Sequence, residues 1–186
     1  MRGRAMRRAL LATGLLAGLM FGLVACGGGD SATDKQSDIR VMNEILGRQL
    51  AVVEAYGRAL PVLREAADIA AVQTFRAQEQ EHVDATTKAL RALEGEADPT
   101  AEEIVYDPIR TRRQAFEFLY WLESATIDFE LHALGELTID WPRPLVASMA
   151  TNQAQRLVVI RRALGADSLE VIPEAFETGE TPAPEG

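Results

Sequence analysis

Glu79 and His82 are the residues of this chain whose types and spacing most clearly favour chemistry. They lie three residues apart in a segment where Phe75, Glu79 and Val83 follow one another at intervals of four. In an α-helix these intervals place all four side chains on one face, so the polar pair faces the same way as its apolar neighbours. Because buried charges in proteins are paired or bind metal ions, the pair predicts a partner inside the core.

Two further glutamates fall in phase with apolar residues of other segments. Glu54 follows Leu46 and Leu50 at steps of four, and Glu123 lies four residues after Leu119. Each glutamate is therefore expected on or beside the buried stripe of its own helix. We predict that Glu54, Glu79, His82 and Glu123, from three helices, converge at one level of one core.

Four helical segments are predicted to position these side chains. Apolar residues recur at helical spacing in each segment, and Pro61, Gly95, Pro99 and Gly165 mark their ends. No run shows the alternation of a half-buried strand, so we predict an all-α fold. The predicted helices span roughly residues 37–59, 68–93, 110–137 and 142–165.

The connections between these segments indicate the topology. Short loops join the first helix to the second and the third to the fourth, which favours two antiparallel hairpins. The second and third are separated by about 16 residues, 94–109, which extend to roughly 50 Å. A helix of about 25 residues is only about 38 Å long, so this linker can cross the bundle from end to end. The pattern predicts a four-helix bundle with one long crossover between helices 2 and 3.

The combination of these residues and this topology resembles the ferritin-like di-iron carboxylate proteins. Their ligands are a Glu on helix 1, Glu-x-x-His on helix 2, a Glu on helix 3 and Glu-x-x-His on helix 4. Within that superfamily the chain resembles the small bacterial ferritin-like domain proteins of the cell envelope, over roughly residues 38–165. The resemblance implies a ferritin-like four-helix bundle with Glu54, Glu79, His82 and Glu123 as metal ligands.

The fourth helix departs from that pattern. The stripe through Met149 places Gln153 and Arg156 where the second Glu-x-x-His is expected. Glutamine is at best a weak neutral ligand, and arginine stays protonated and cannot bind a metal. Both replacements therefore argue against a two-metal centre without excluding one.

Charge counting leaves three interpretations open. Three carboxylates facing one guanidinium leave a charge of about −2, which one divalent ion would neutralise; Fe²⁺, Mn²⁺ or Zn²⁺ suit oxygen ligands with one imidazole. Without a metal, Arg156 can pair with one glutamate and protonated His82 with a second, while the third binds a proton. The alternatives are a metal-free polar core, one bound divalent metal (Fe or Mn), and a two-metal site.

Two other residues have weaker claims to a role. Glu130 lies seven residues after Glu123 and can share its face, which makes it a reserve ligand, although a charged position near the helix end is the simpler interpretation. His132 has no glutamate three residues before it and is expected to be a surface or packing histidine and not a ligand.

The first 25 residues have the organisation of a bacterial secretory signal. Arginines at positions 2, 4, 7 and 8 precede an uncharged apolar run over residues 9–25, as in a cleaved leader. The stretch Leu23-Val24-Ala25-Cys26 resembles the lipobox, in which cleavage precedes the cysteine and the cysteine is lipidated. The resemblance implies that Cys26 holds the protein at the extracytoplasmic face of the bacterial cell membrane.

The chain is therefore expected to have four parts. Residues 1–25 form the removed signal peptide, and residues 26–36 the lipidated cysteine with a flexible tether. Residues 37–168 form the bundle. Residues 169–186 form a C-terminal tail that is partly disordered.

Composition restricts the partners. The formal net charge is −9, and removing the four leader arginines leaves 15 basic against 28 acidic residues. So acidic a chain is not expected to bind nucleic acid, and membrane attachment must come from acyl chains. A single cysteine excludes a disulfide within one chain.

Two classes of function follow. One is metal binding at the envelope with iron oxidation or peroxide handling; the other is a metal-free, non-catalytic interaction or structural module, strengthened by a contact between Glu79 and Arg156. A storage cage is the least favoured, because a membrane anchor on every subunit fits a closed shell poorly. Homodimer formation stays open, and the sequence identifies no protein partner.

Overall fold

The computed structural model describes residues 31–167, and in this range the chain forms four α-helices and no β-strand. The prediction of an all-α four-helix bundle is confirmed. The predicted signal peptide, Cys26 and the tail (169–186) lie outside the described residues. The helices are α1 (Ala32–Ala59), α2 (Ala66–Ala92), α3 (Arg112–Glu136) and α4 (Arg143–Ala163), with a short 3-10 turn at Leu60–Val62.

Capping residues explain where two of the helices begin. Ser31 accepts a hydrogen bond from the Asp34 amide while Asp34 accepts one from the Ser31 amide, which is a capping box. Thr111 and Gln114 form the same arrangement at the start of α3. Because of the first box, α1 begins at Ala32, and residues 32–36, predicted to belong to the flexible tether, are helical.

The helices pack as two antiparallel hairpins, α1 with α2 and α3 with α4. Lys35 at the start of α1 lies 2.5 Å from Glu94, just after α2. Asp38 accepts hydrogen bonds from the amides of Thr138 and Ile139, between α3 and α4, at 2.8 and 2.9 Å. The start of α1 and the α3–α4 turn therefore share one end of the bundle.

The segment between α2 and α3 is the predicted long crossover. Asn43 on α1 holds its start, donating to the Glu96 carbonyl at 3.0 Å and accepting from the Asp98 amide at 2.8 Å. Farther along, the Glu102 amide donates to the Gly47 carbonyl at 2.9 Å. A side-chain carbon on Gly47 would lie 3.3 Å from the Thr100 carbonyl, so glycine allows this close approach.

The apolar core is divided into two clusters by a polar layer. One cluster surrounds Tyr56, Phe75 and Phe116, and the other surrounds Met42, Leu90 and Leu137. Between them every helix contributes at least one fully buried polar side chain: Gln49 from α1, Glu79 and Thr86 from α2, Glu123 and Glu130 from α3, and Gln153 and Arg156 from α4. Among the described residues, no helix is long and apolar enough to cross a membrane.

Candidate functional site: the buried polar layer

Arg156 is the centre of the polar layer. Its side chain is 2% exposed, and Nη1 lies 2.8 Å from Glu79 Oε2 and 3.2 Å from Glu123 Oε1. Nη2 donates to Asn152 Oδ1 at 2.7 Å and Nε donates to Gln78 Oε1 at 3.2 Å. One guanidinium therefore joins acceptors from α2, α3 and α4. The contact between Glu79 and Arg156 expected of a metal-free core is present.

The sequence of α4 explains why this arginine lies inside. Met149, Gln153 and Arg156 follow at intervals of four and three, which keeps them on one face, and all three are buried. The charges of the two glutamates hold the cation there. Burial by itself would lower the pKa of Arg156, but the charges of Glu123 and Glu79 outweigh it and raise this pKa above its usual value.

Glu123 has the clearest change in acidity. Burial raises its pKa to about 7, although the charge of Arg156 acts in the opposite direction. The Tyr56 hydroxyl on α1 donates a hydrogen bond to the same Oε1 that faces Arg156. A carboxyl with this pKa exchanges a proton near neutral pH.

His82 lies at the edge of the layer. Its Nδ1 is 3.2 Å from Glu79 Oε2, and its side chain keeps 15% of its surface exposed. The two residues therefore share one face of α2, as their spacing predicts. Glu79 Oε2 is thus contacted from two sides, by the imidazole and by the guanidinium.

Glu130 and Gln153 form a second pair in the layer. Gln153 Nε2 donates to Glu130 Oε1 at 3.2 Å, and both residues are fully buried. Burial raises the pKa of Glu130 well above its usual value, and the negative charge of Glu79 raises it further. The favoured interpretation of Glu130 as a charged residue near the helix end is therefore wrong, because Glu130 is fully buried and burial disfavours its charged form.

Several buried oxygen atoms of the layer lack a hydrogen-bond partner among the described residues. They include one oxygen from each glutamate and the amide oxygen of Gln153: Glu79 Oε1, Glu123 Oε2, Glu130 Oε2 and Gln153 Oε1. Buried polar atoms are rarely left unpaired. A proton can satisfy a carboxyl oxygen, and water or a cation can satisfy any of them.

Glu54 is not part of the layer. Its side chain is 55% exposed and pairs with Arg58 on the outer surface of α1. It lies two residues after the buried Val52, and two residues turn a helix by about 200°, which points Glu54 away from the core. The prediction that Glu54 converges with the other glutamates is wrong.

Gln49 and Tyr56 occupy the inner face of α1 instead, and sequence analysis missed both. Gln49 Nε2 donates to Met149 Sδ on α4 at 3.1 Å, and Tyr56 binds Glu123 as described above. The sequence contains a pattern that identifies both residues as core-facing. Successive intervals of three and four residues, the spacing of one helix face, join Met42, Ile45, Gln49, Val52 and Tyr56.

His132 lies apart from the layer, as predicted. Its side chain is 76% exposed, and Nδ1 is 2.8 Å from the Asp128 carbonyl oxygen within α3. It has no contact with the buried glutamates and takes no part in the candidate site.

Comparison with known proteins agrees with this architecture. The family model of the ferritin-like domain matches residues 37–166. The chain belongs to the ferritin-like domain family. A conserved hypothetical protein of Mycobacterium tuberculosis, Rv2844, has a similar solved structure, with a TM-score of 0.64 and 16% identity over 72% of this chain and 94% of that one. Dps92 of Deinococcus radiodurans is also similar, with a TM-score of 0.64 and 11% identity over 81% of this chain and 99% of that one.

No curated protein matches the chain significantly in sequence. At these levels of identity the two solved structures establish a shared fold and do not establish a shared activity.

The polar layer of this ferritin-like domain does not fit a two-metal centre. The carboxylate expected from the first helix faces solvent, and Gln153 and Arg156 stand where the fourth helix would supply a carboxylate and an imidazole. The guanidinium contacts the two carboxylates, Glu79 and Glu123, that would otherwise share a metal. Within residues 31–167 no three His, Cys, Asp or Glu side chains are grouped so as to hold a metal ion.

Proposed function

We propose that this protein is a lipid-anchored ferritin-like module of the cell envelope whose polar layer is held together by Arg156 and not by a metal. It acts as a non-catalytic structural or interaction domain. The observation that carries the proposal is the buried guanidinium placed between Glu79 and Glu123, at 2.8 and 3.2 Å.

The layer needs little further positive charge without a metal. Arg156 neutralises Glu79, burial raises the pKa of Glu130 well above its usual value and so favours its uncharged form, and burial raises the pKa of Glu123 to about 7. A divalent cation placed beside Glu79 and Glu123 would face the fixed positive charge of Arg156 in a medium that screens charges poorly. If a metal ion displaced the guanidinium, the ion pair between Arg156 and Glu79 would be broken. Breaking a buried ion pair costs about 3–5 kcal/mol of folding free energy.

The proposed location depends on the N-terminal segment. The arginine-rich start, the apolar run and Leu23-Val24-Ala25-Cys26 support export and lipidation at Cys26. Stable anchoring needs more than one acyl chain, which a lipoprotein-type modification supplies. The acidic surface is consistent with attachment through lipid and not through a basic patch.

One observation favours a second candidate, in which the layer binds one divalent ion such as Fe²⁺ or Mn²⁺. Glu79, Glu123 and Glu130 each present an oxygen without a protein partner, and carboxylate oxygens are ligands that suit both ions. In that case the side chains would have to move closer together, since they are not grouped around one point among residues 31–167, and His82 would be the nitrogen ligand. Iron oxidation or peroxide chemistry would be the corresponding activity.

Metal content decides between the two candidates. The protein is extracted from membranes of its own cells with mild detergent, without an affinity tag or chelator, and iron, manganese and zinc are measured per chain. The proposal expects no stoichiometric metal. One ion per chain that is absent from a Glu79→Gln variant would establish the second candidate, and the exposed Glu54→Gln serves as the matched control. Mass spectrometry of the N-terminal peptide tests the anchor, and an unmodified Cys26 would refute it.

A further inference from the structure

The two ends of the bundle differ in how far they lie from Ser31, where the described residues begin. One end contains the start of α1, the end of α2 and the α3–α4 turn, as the contacts Lys35–Glu94 and Asp38–Ile139 show. We call this the anchor end. The opposite end contains the 3-10 turn, the start of α3 and the end of α4.

The length of chain before α1 sets how far the anchor end can stand from a membrane. Ser31 caps α1, and residues 26–30 precede it. Fully extended, this stretch reaches about 17 Å. The 27 residues of α2 give the bundle a length of about 40 Å. A lipid on Cys26 therefore holds the anchor end near the membrane surface, and the bundle cannot stand on its opposite end.

Trp141 is the large exposed apolar side chain in the α3–α4 turn of this end. It is 46% exposed and lies between Asp140 and Pro142. Tryptophan is enriched at membrane–water interfaces, because its ring is apolar while its N–H still finds a hydrogen-bond partner there. A half-exposed tryptophan in a turn that the tether brings to the lipid matches this preference.

We propose that the anchor end is a membrane-docking surface, in which Trp141 enters the lipid headgroup region and the bundle stands upright. The inference rests on the proposed anchor at Cys26. Its partner is a zwitterionic lipid surface, because Asp34, Glu94, Glu136 and Asp140 at this end would be repelled by anionic headgroups, whereas entry of an apolar ring needs no charge attraction. Docking is therefore expected to resist salt, unlike electrostatic binding.

The cysteine and tryptophan content of the chain allows a direct test. It has one cysteine and two tryptophans, so a maleimide-bearing phospholipid can be coupled to Cys26 of the chain that starts there, which retains every described residue. Trp121 is the internal control. It is 41% exposed on the side of α3, 15 residues before the helix ends at Glu136, and so about 22 Å from the anchor end.

The measurement is fluorescence quenching of two single-tryptophan variants, Trp121→Phe and Trp141→Phe, on phosphatidylcholine vesicles with spin-labelled headgroups. We expect Trp141 to be quenched several-fold more strongly than Trp121, in low and high salt alike. Equal quenching of both tryptophans would show a bundle lying on its side, and absence of quenching at Trp141 would show no docking. Either result overturns the inference.

These outcomes are independent of the anchor itself. Chemical coupling supplies the lipid even if the cell does not, so the quenching decides the docking geometry. The mass of the native N-terminal peptide decides separately whether Cys26 is lipidated.

Discussion

Arg156 and Glu79, 77 residues apart in the chain, form a buried ion pair across the bundle, with Nη1 2.8 Å from Oε2. The same Nη1 contacts Glu123 at 3.2 Å. These contacts connect α4 to α2 and α3, so one cation fixes the relative positions of three helices. Removing one partner of a buried ion pair lowers the free energy of unfolding far more than removing one partner of a surface ion pair.

Replacing Arg156 is therefore expected to destabilise the protein strongly. We expect Arg156→Met, which keeps the volume and removes the charge, to lower the free energy of unfolding by about 3–5 kcal/mol. Arg40→Met is the control, because Arg40 makes two ion pairs on the exposed surface, and its replacement should destabilise the protein far less. Urea denaturation measures both, and equal losses would show that Arg156 does not hold the layer.

The raised pKa values predict that the protein loses stability as pH rises. Glu123, with a pKa of about 7, and Glu130, with a pKa well above its usual value, bind protons more tightly in the folded state than in the unfolded one. Their stabilising effect is complete below the unfolded pKa of about 4.5. It is lost as pH rises from there through each folded pKa.

For Glu123 alone, the loss between pH 5 and 8 is of the order of 2–3 kcal/mol. Glu123→Gln, which mimics the protonated side chain, should flatten this part of the profile. Urea midpoints at several pH values measure the effect. A wild-type protein that gains stability over this range, or a variant with the same slope, would contradict the account.

Glu54 is expected to be dispensable for the layer. It is exposed and pairs only with Arg58 among the contacts described, so Glu54→Gln should change the free energy of unfolding by no more than about 0.5 kcal/mol. Glu79→Gln leaves Arg156 with one carboxylate fewer and should cost several times more. Comparison of the two variants in the same titration tests the assignment, and a large loss in Glu54→Gln would restore Glu54 to the site.

Asp38 links α1 to the α3–α4 turn. Its carboxylate accepts from the amides of Thr138 and Ile139 and from the Thr138 hydroxyl. Asp38→Ala leaves two turn amides without this acceptor, and the expected loss is about 2–3 kcal/mol. Hydrogen exchange at the Ile139 amide should accelerate more than exchange in the middle of α3; a uniform change would argue against a local link.

The sequence predicted the topology because one linker was long enough to cross the bundle and the other two were not. It also placed Glu79, Glu123 and Arg156 correctly, since each lies in phase with a single apolar stripe on its helix. α1 has apolar residues on more than one face: Leu50 is half-buried beside the true stripe. The spacing of Leu46, Leu50 and Glu54 therefore predicted a buried Glu54. The polar residues of α1 that face the core are instead Gln49 and Tyr56.

The spacing of residues along a helix does not predict which side chains of different helices contact each other. Spacing places Glu130 on a face of α3, but only packing shows that Gln153 contacts it there and that burial raises the pKa of its carboxyl well above the usual value. The start of α1 was predicted too late in the chain. Ser31 and Asp34 follow a run of glycines that suggested a flexible tether, but their side chains form a capping box that begins the helix at Ala32.

Anaerobic titration of the metal-free protein with Fe²⁺, followed by equilibrium dialysis and metal analysis, measures whether the polar layer takes up a metal ion. The positive control restores the family pattern on α4 with Gln153→Glu and Arg156→His together, which replaces the guanidinium by a carboxylate and an imidazole. We predict no saturable uptake by the wild-type chain, since the guanidinium of Arg156 already contacts both Glu79 and Glu123. Saturable uptake of one ion per wild-type chain, abolished by Glu79→Gln, would show that the layer is a metal site and that Arg156 does not exclude the ion.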